Sequence, residues 1–412
     1  MAGVDWVSVN SIVCFILAAF NSWLFLQACY GISHVEEHKG LYKSNGVKGV
    51  GGETCVGGAE GGCQEMDIPR LVRLDGVKVG HIQEIELIPG KIHKIETVNM
   101  KPEIFEIPDF LSKEECLHII NLAEEQGLEV SQTHLETKDK KMRLLDLNGD
   151  KMLDMFEMRR TIEDGFDVYL EDVDIRTLYD DLDMDTNGDE IITNQEMNRV
   201  TFRGLSEYIH QIIKAQPTKK SRYSEQTWVY PDRVQDHVVD AFQDRIAKLS
   251  RLPQPLIDKF SFFQVVRYGK HGHYNAHHDS GNSTELQCCH LSSTKNCRIC
   301  RFMTIMVYLN EVEEGGETAF PIANNETYDD HTFRSSGQVN LNNNCAKANF
   351  SVTPSPGKSV FWYNHFINED GWLGNIDPYT WHGGCPVTKG SKWIMNRWIA
   401  VSPDREMDLS PL

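Results

Sequence analysis

The chain has 412 residues, 40% of them hydrophobic, an ordinary share for a protein with a buried core and a length with room for two or three domains. Sixty acidic residues against 41 basic ones leave a formal net charge of -19, which argues against a nucleic-acid partner, since that would select a basic surface. The acidic excess concentrates between Asp139 and Glu207, where it points to a cation instead.

From Trp6 to Ser33 there is no Asp, Glu, Lys or Arg, and the apolar weight lies in residues 12–20 and 23–26. About 20 apolar residues cross a bilayer as a helix, so residues 1–33 read as a short N-terminus and a transmembrane signal-anchor. The alternative is a cleaved leader, against which stand the missing basic n-region and the length of the apolar run. Asn-x-Ser/Thr sequons begin at Asn282, Asn325 and Asn349, all after the span, and favour a lumenal or extracellular location for the chain beyond it. In that compartment the cysteines beyond the span become mainly disulfide candidates. Residues 34–66 form a Gly-rich linker, within which Cys55 and Cys63 are spaced to close a small loop.

A β segment and the start of the main domain are expected over 67–136. Asp75-Gly76 between alternating runs reads as a short hairpin, and IQEIEL and HKIETV as strands. PEIFEIPDF is a further strand, after which Ser112 caps a helix with Glu115 at the reciprocal position of a capping box. Cys116, Leu117, Ile119, Ile120 and Leu122 form its apolar face, and Gly127 is its stop.

An all-α unit is expected over 137–215, inserted between that helix and a strand near Trp228. Two loops interrupt its helical periodicity. The first places Asp146, Asn148, Asp150, the Met152 carbonyl, Asp154 and Glu157 at positions 1, 3, 5, 7, 9 and 12. The second does the same with Asp185, Asn187, Asp189, Ile191, Thr193 and Glu196. This is the ligand layout of an EF-hand calcium loop, and a tandem pair is a far more specific signal than one. Both depart from the pattern at position 6, where Lys151 and Glu190 stand in place of the glycine that makes the sharp turn.

Residues 216–412 carry the chemistry. SEQTWVY reads as a strand, HVVDAFQDRIAKL as a helix and SFFQVVRY as the strand that delivers YGKHGHYNAHHD. His277 and Asp279, at i and i+2, share one face of an extended segment, which turns His278 to the other side as a structural or surface residue. His271 and His273 fall in a glycine-punctuated loop, facing substrate or solvent. Cys288, Cys289, Cys297 and Cys300 read as disulfide partners more readily than as a zinc site. After the buried strand RFMTIMVYL comes Trp381-His382-Gly383-Gly384, which supplies a second imidazole. Two histidines and one carboxylate make the open-sided face used by non-haem Fe(II) oxygenases. Lys392 stands ten residues on, and a buried lysine requires an anionic partner. The distal carboxylate of 2-oxoglutarate meets that need. Arg397 is the other candidate anchor, while Tyr363 and Trp381 read as core or rim.

HxD at 277–279, YLNEVEEGGETAFP at 308–321 and HGG followed by Lys392 resemble the prolyl 4-hydroxylase branch of the 2-oxoglutarate dioxygenases, as does PEIFEIPDFLSKEEC. The resemblance implies an α+β chain whose core is a double-stranded β-helix (jelly-roll), here with an inserted EF-hand pair and an N-terminal transmembrane helix. It implies Fe(II), 2-oxoglutarate, O2 and ascorbate as cofactors, beside the Ca(II) of the two loops, and a proline-containing peptide or protein as substrate. His277, Asp279 and His382 would hold iron, and Lys392 and Tyr268 the 2-oxoglutarate carboxylate, with Thr304 lining that pocket. It further implies a single-pass type II protein of the endoplasmic reticulum membrane with a lumenal catalytic domain. The competing readings are a lumenal calcium-binding sensor or scaffold with a vestigial oxygenase domain, or a hydroxylase of another side chain such as lysine.

Overall fold

The computed structural model describes residues 69–131, 144–258, 260–281, 300–403 and 405–409. The expected span, the Gly-rich linker, the sequon at Asn282 and Cys55, Cys63, Cys288, Cys289 and Cys297 lie outside the described residues. Among the described residues no helix is long and apolar enough to cross a membrane.

Two antiparallel sheets share one core and form a jelly-roll. The nine-stranded major sheet runs Ile82–Ile88, Lys91–Met100, Glu103–Ile107, Ser359–Tyr363, Cys300–Tyr308, Lys392–Val401, Phe263–Tyr268, Glu225–Val229, Glu129–Val130. The five-stranded minor sheet runs Phe350–Val352, Thr318–Phe320, His382–Gly384, His273–His277, Arg222–Tyr223. Side-chain alternation explains why the major sheet is buried on both faces. Val266, Tyr268, Met306, Tyr308, Val360, Trp362 and Ile394 point inward to meet Phe320 and Val352 of the minor sheet. Their neighbours Val265, Ile305, Phe361 and Met395 point outward and are covered by helices Lys113–Gln126 and His237–Ser250.

The first of these helices begins as the sequence implies. Ser112 accepts a hydrogen bond from the Glu115 amide, Glu115 reciprocates, and Gly127 ends the helix with φ 85. Its buried face is Cys116, Ile119 and Ala123, whereas Leu117 is 58% exposed, because the sheet contacts a narrower stripe than the apolar count suggests. Arg245 from the second helix pairs with Glu115, tying the helix layer together. Phe242 is wholly buried there against Phe110 and Phe263, and its truncation to alanine would cost about 3–5 kcal/mol.

The hairpin expected at Asp75-Gly76 does not form. Side chains claim its backbone instead: the Gly76 amide donates to Glu103, the Leu74 amide to the Tyr363 hydroxyl, and the Val77 amide to Asp75 itself. Residues 69–81 are therefore a strap across the sheet.

Between 144 and 215 the chain folds as four helices, Met155–Phe166, Asp172–Asp181, Asn194–Met197 and Phe202–Ala215, around a separate core that includes Met158, Ile162, Leu178, Leu205 and Ile209. Glu171 at the head of the second helix accepts hydrogen bonds from Asn340 and Asn343, and Phe156 packs on His331, so this layer sits against the segment covering the minor sheet.

Candidate functional site

His277 and His382 are antiparallel register partners in the minor sheet. Each ring is oriented from behind: His277 Nδ1 donates to the Asn275 carbonyl at 2.9 Å, and His382 Nδ1 to the Thr380 carbonyl at 2.8 Å. A proton committed to Nδ1 leaves Nε2 with a free lone pair. Both Nε2 atoms face Asp279, at 3.6 Å from Oδ1 and 3.5 Å from Oδ2. The strand stops at His277, so Asp279 reaches the histidines from just beyond its end rather than from a continuous strand face. Its Oδ2 accepts from the Thr304 hydroxyl at 2.6 Å and from Trp398 Nε1 at 3.0 Å.

Burial alone would push the Asp279 carboxyl up, but the His382 and His277 imidazoles and the Arg301 guanidinium outweigh it and hold the acid well below the usual range. Burial pushes His382 down to about 4. The ligand atoms of all three lie within 4.8 Å of one another. Two nitrogen lone pairs and one buried carboxylate, each held by a further partner, suit a divalent cation such as Fe(II). Glu317, Cys345 and Cys385 make a second group of this kind among the described residues, but those sulfurs are bonded to each other.

Lys392 opens a strand of the major sheet opposite Tyr268 in register and is 2% exposed. Its ammonium lies 5.4 Å from the Tyr268 ring and 5.5 Å from that of Tyr308, and no ion pair reaches it from the described residues. Burial pushes it down to about 7, with only the distant Glu317 charge opposing. Glycine clears the space around it: a Cβ at Gly384 would sit 3.8 Å from Nζ, and one at Gly316 3.2 Å from Cδ. A buried cation without an anion, beside the strand that carries His382, is fitted to the carboxylate of a bound co-substrate.

The remaining expected residues separate cleanly. Arg397 alternates to the helix side of the same strand, where it donates to the Ile257 and Trp398 carbonyls; it is a structural residue, not a second anchor. Thr304 donates its hydroxyl proton to the Asp279 carboxylate. His278 packs on Trp381 and meets Thr380, and burial pushes it down to about 3. His273 is not in a loop: it starts the strand and bonds the His271 and Lys220 carbonyls, whereas His271 is exposed. Tyr363 and Trp381 are buried. Tyr274 stacks on His277 with ring centroids 3.8 Å apart, and Arg222 lies 4.8 Å over Tyr274 without an ion pair among the described residues. Sequence reasoning missed Arg222, Tyr274 and Trp398. For Trp398 a signal exists, since it shares the period-two face of Lys392.

In the helical layer, Met152–Leu153 and Ile192–Thr193 pair antiparallel and join the two acidic loops back to back. Asp146 accepts from the Gly149 and Lys151 amides, and Asp185 from those of Gly188 and Glu190. Lys151 and Glu190 take φ 67 and 63, so the turn expected to need glycine is made by side-chain-bearing residues. Glu157 and Glu196 are buried and accept backbone N–H bonds at the loop ends, and those from Thr193 and Thr186 hold Glu196 down to about 2. Cys345 is bonded to Cys385 and Cys300 is also in a disulfide, while Cys116 is a buried free thiol. Asn349 is exposed and Asn325 half-buried.

Residues 263–400 match the 2OG-Fe(II) oxygenase superfamily. The chain is 37% identical to a human protein named transmembrane prolyl 4-hydroxylase, over 84% of this chain and 73% of that one, and 38% identical to the mouse protein of the same name over 81% and 70%. Prolyl 4-hydroxylase 13 of Arabidopsis thaliana is 32% identical over 41% of this chain and 53% of its own. Among solved structures, a viral collagen prolyl hydroxylase from Paramecium Bursaria Chlorella virus-1, in complex with 2OG, is 21% identical with a TM-score of 0.35, covering 72% of this chain and 93% of that one. The chain belongs to the prolyl 4-hydroxylase family of oxygenases that use Fe(II), 2-oxoglutarate and O2.

Proposed function

We propose that the chain hydroxylates peptidyl proline at C4 while 2-oxoglutarate is converted to succinate and CO2, with His277, Asp279 and His382 holding the iron. The observation that carries the assignment of residues is the convergence of those three ligand atoms beside a buried Lys392 that has no ion pair among the described residues. When bound, iron and 2-oxoglutarate together with O2 supply the oxidising power that places an oxygen atom in an unactivated C–H bond. The protein does the rest. Asn275 and Thr380 carbonyls hold the imidazoles, Lys392 with Tyr268 takes the distal carboxylate, and the walls formed by Trp362, Phe320 and Tyr308 exclude water. Peptide would enter as a further ligand of the same cavity, where Tyr274 stacks on His277 with Arg222 over its ring.

The paired acidic loops are read as EF-hands that bind Ca(II) and modulate the enzyme. The Asp146 and Asp185 nests and the back-to-back strand pair support that reading, and weak affinity suits a lumenal setting. The charge-free run at the N-terminus supports a membrane anchor with the enzyme in the lumen, glycosylated at Asn282, Asn325 and Asn349, and the Cys345–Cys385 disulfide is consistent with an oxidising compartment.

The test is succinate formation with a proline peptide. Asp279→Ala and His382→Ala should abolish it, and Lys392→Ala should raise the 2-oxoglutarate requirement. Full turnover by both ligand variants would overturn the assignment.

A further inference from the structure

We propose that Trp362, Asn364 and Thr304 form a one-way hydrogen-bond relay that positions Asp279, and with it His382, for metal binding. Trp362, Thr304 and Trp398 stand side by side on three adjacent strands of the major sheet, as register partners across Thr304. Asn364 comes just after the end of the Trp362 strand. Trp362, Asn364 and Thr304 are each no more than 1% exposed, and Asp279 is 5% exposed.

The direction of every bond is forced by chemistry. An indole N–H only donates, so Trp362 Nε1, at 2.9 Å, obliges Asn364 to present Oδ1 to it. The Asn364 amide nitrogen then faces the other way and donates both hydrogens, to Thr304 Oγ1 at 2.8 Å and to the Arg301 carbonyl at 3.0 Å. With its oxygen accepting from Asn364, the Thr304 hydroxyl aims its single proton at Asp279 Oδ2. Trp398 donates to the same oxygen. Oδ2 thus receives two donors, which fixes the carboxylate rotation and turns Oδ1 toward His277 Nε2 at 3.6 Å and Arg301 Nη1 at 3.7 Å. The indole that starts the relay also packs edge-on against His382, with centroids 4.5 Å apart and planes at 61°. One tryptophan therefore braces two members of the site from opposite ends.

A buried network of this kind keeps its value only while every member is satisfied, so loss of one link should release the whole orientation. Thr304, Asn364 and Trp362 are positioning residues: they act through Asp279 and His382. The inference rests on the reading of His277, Asp279 and His382 as metal ligands, and the experiment separates the two.

Mn(II) binding to the purified full chain without 2-oxoglutarate is measured from the electron paramagnetic resonance signal of the free ion, beside Tm for each variant. Thr304→Val should weaken Mn(II) binding by about 10- to 100-fold. Thr304→Ser, which keeps the hydroxyl, should restore it. Asn364→Leu should weaken binding to a similar degree, and the double variant Thr304→Val with Asn364→Leu should be no weaker than the poorer single one, since both cut the same relay. Losses that multiply in the double variant, or a Thr304→Val protein that binds Mn(II) like wild type whatever its Tm, would overturn the relay. Asp279→Ala is the control. If it leaves Mn(II) affinity unchanged, the ligand assignment itself fails; if it abolishes binding while Thr304→Val does not weaken it, only the relay fails.

Discussion

Lys392 gives the most quantitative consequence of the structure. Burial brings its ammonium from 10.5 down to about 7. At about 1.4 kcal/mol per tenfold change in proton affinity, keeping it charged there costs about 5 kcal/mol relative to water. The 2-oxoglutarate carboxylates are ionised throughout the range in question, and only the charged lysine pairs with them. Below pH 7 the lysine is ready to bind; above it the charged fraction falls as the pH rises. Apparent affinity scales with that fraction, so binding should weaken about tenfold between pH 6 and pH 8. Isothermal titration of 2-oxoglutarate into Mn(II)-loaded protein at three pH values measures this directly. Lys392→Met should bind at least about 30-fold more weakly, as expected when one partner of a buried charge pair is removed, and its residual affinity should lose the pH dependence of the wild type. A wild-type affinity that is flat or rising over this range would refute the assignment of the pH effect to Lys392, as would an equal slope in Lys392→Met.

Gly383 lies against the neighbouring strand: an added Cβ would come within 2.4 Å of the Tyr274 carbonyl oxygen and 2.9 Å of that of Asn275. Gly383→Ala should therefore cost about 1–3 kcal/mol in urea unfolding and disturb the neighbouring His382, whereas a wild-type midpoint would show that the strands give way. The Cys345–Cys385 disulfide closes a separation of 40 residues, so Cys385→Ser should lose about 4 kcal/mol of stability, with an unchanged Tm counting against a structural role. Calcium at about 1 mM should raise the Tm of wild type but not of a protein carrying Asp146→Ala and Asp185→Ala; no rise in wild type would remove the calcium reading of the two loops.

Much of this architecture was written in short-range patterns. Ser112 with Glu115 marks a helix start because both halves of the capping box are local, and the residues of SFFQVVRY and RFMTIMVYL suit strands buried on both faces. His277, Asp279, His382 and Lys392 could be picked out because their chemistry makes them costly to bury without a purpose. Most of the misses depend on partners far along the chain. Asp75-Gly76 reads as a hairpin until Glu103 and Tyr363 take its amides. His273 reads as a loop residue until the Lys220 carbonyl, 53 positions earlier, fixes it in a strand. For Thr304 period two gives the sheet face but not the hydrogen-bond partner, Asp279. Arg222 carries no local signal at all; only the sheet brings it over Tyr274.

The most direct test of the proposed chemistry is mass spectrometry of a proline-containing peptide incubated with the full chain, Fe(II), 2-oxoglutarate and O2, with succinate measured in the same sample. One oxygen atom should appear on proline C4 for each succinate formed, and both products should vanish together in Asp279→Ala and His382→Ala. Hydroxyproline that persists in those variants, or succinate formed with wild-type protein while the peptide remains unmodified, would contradict it.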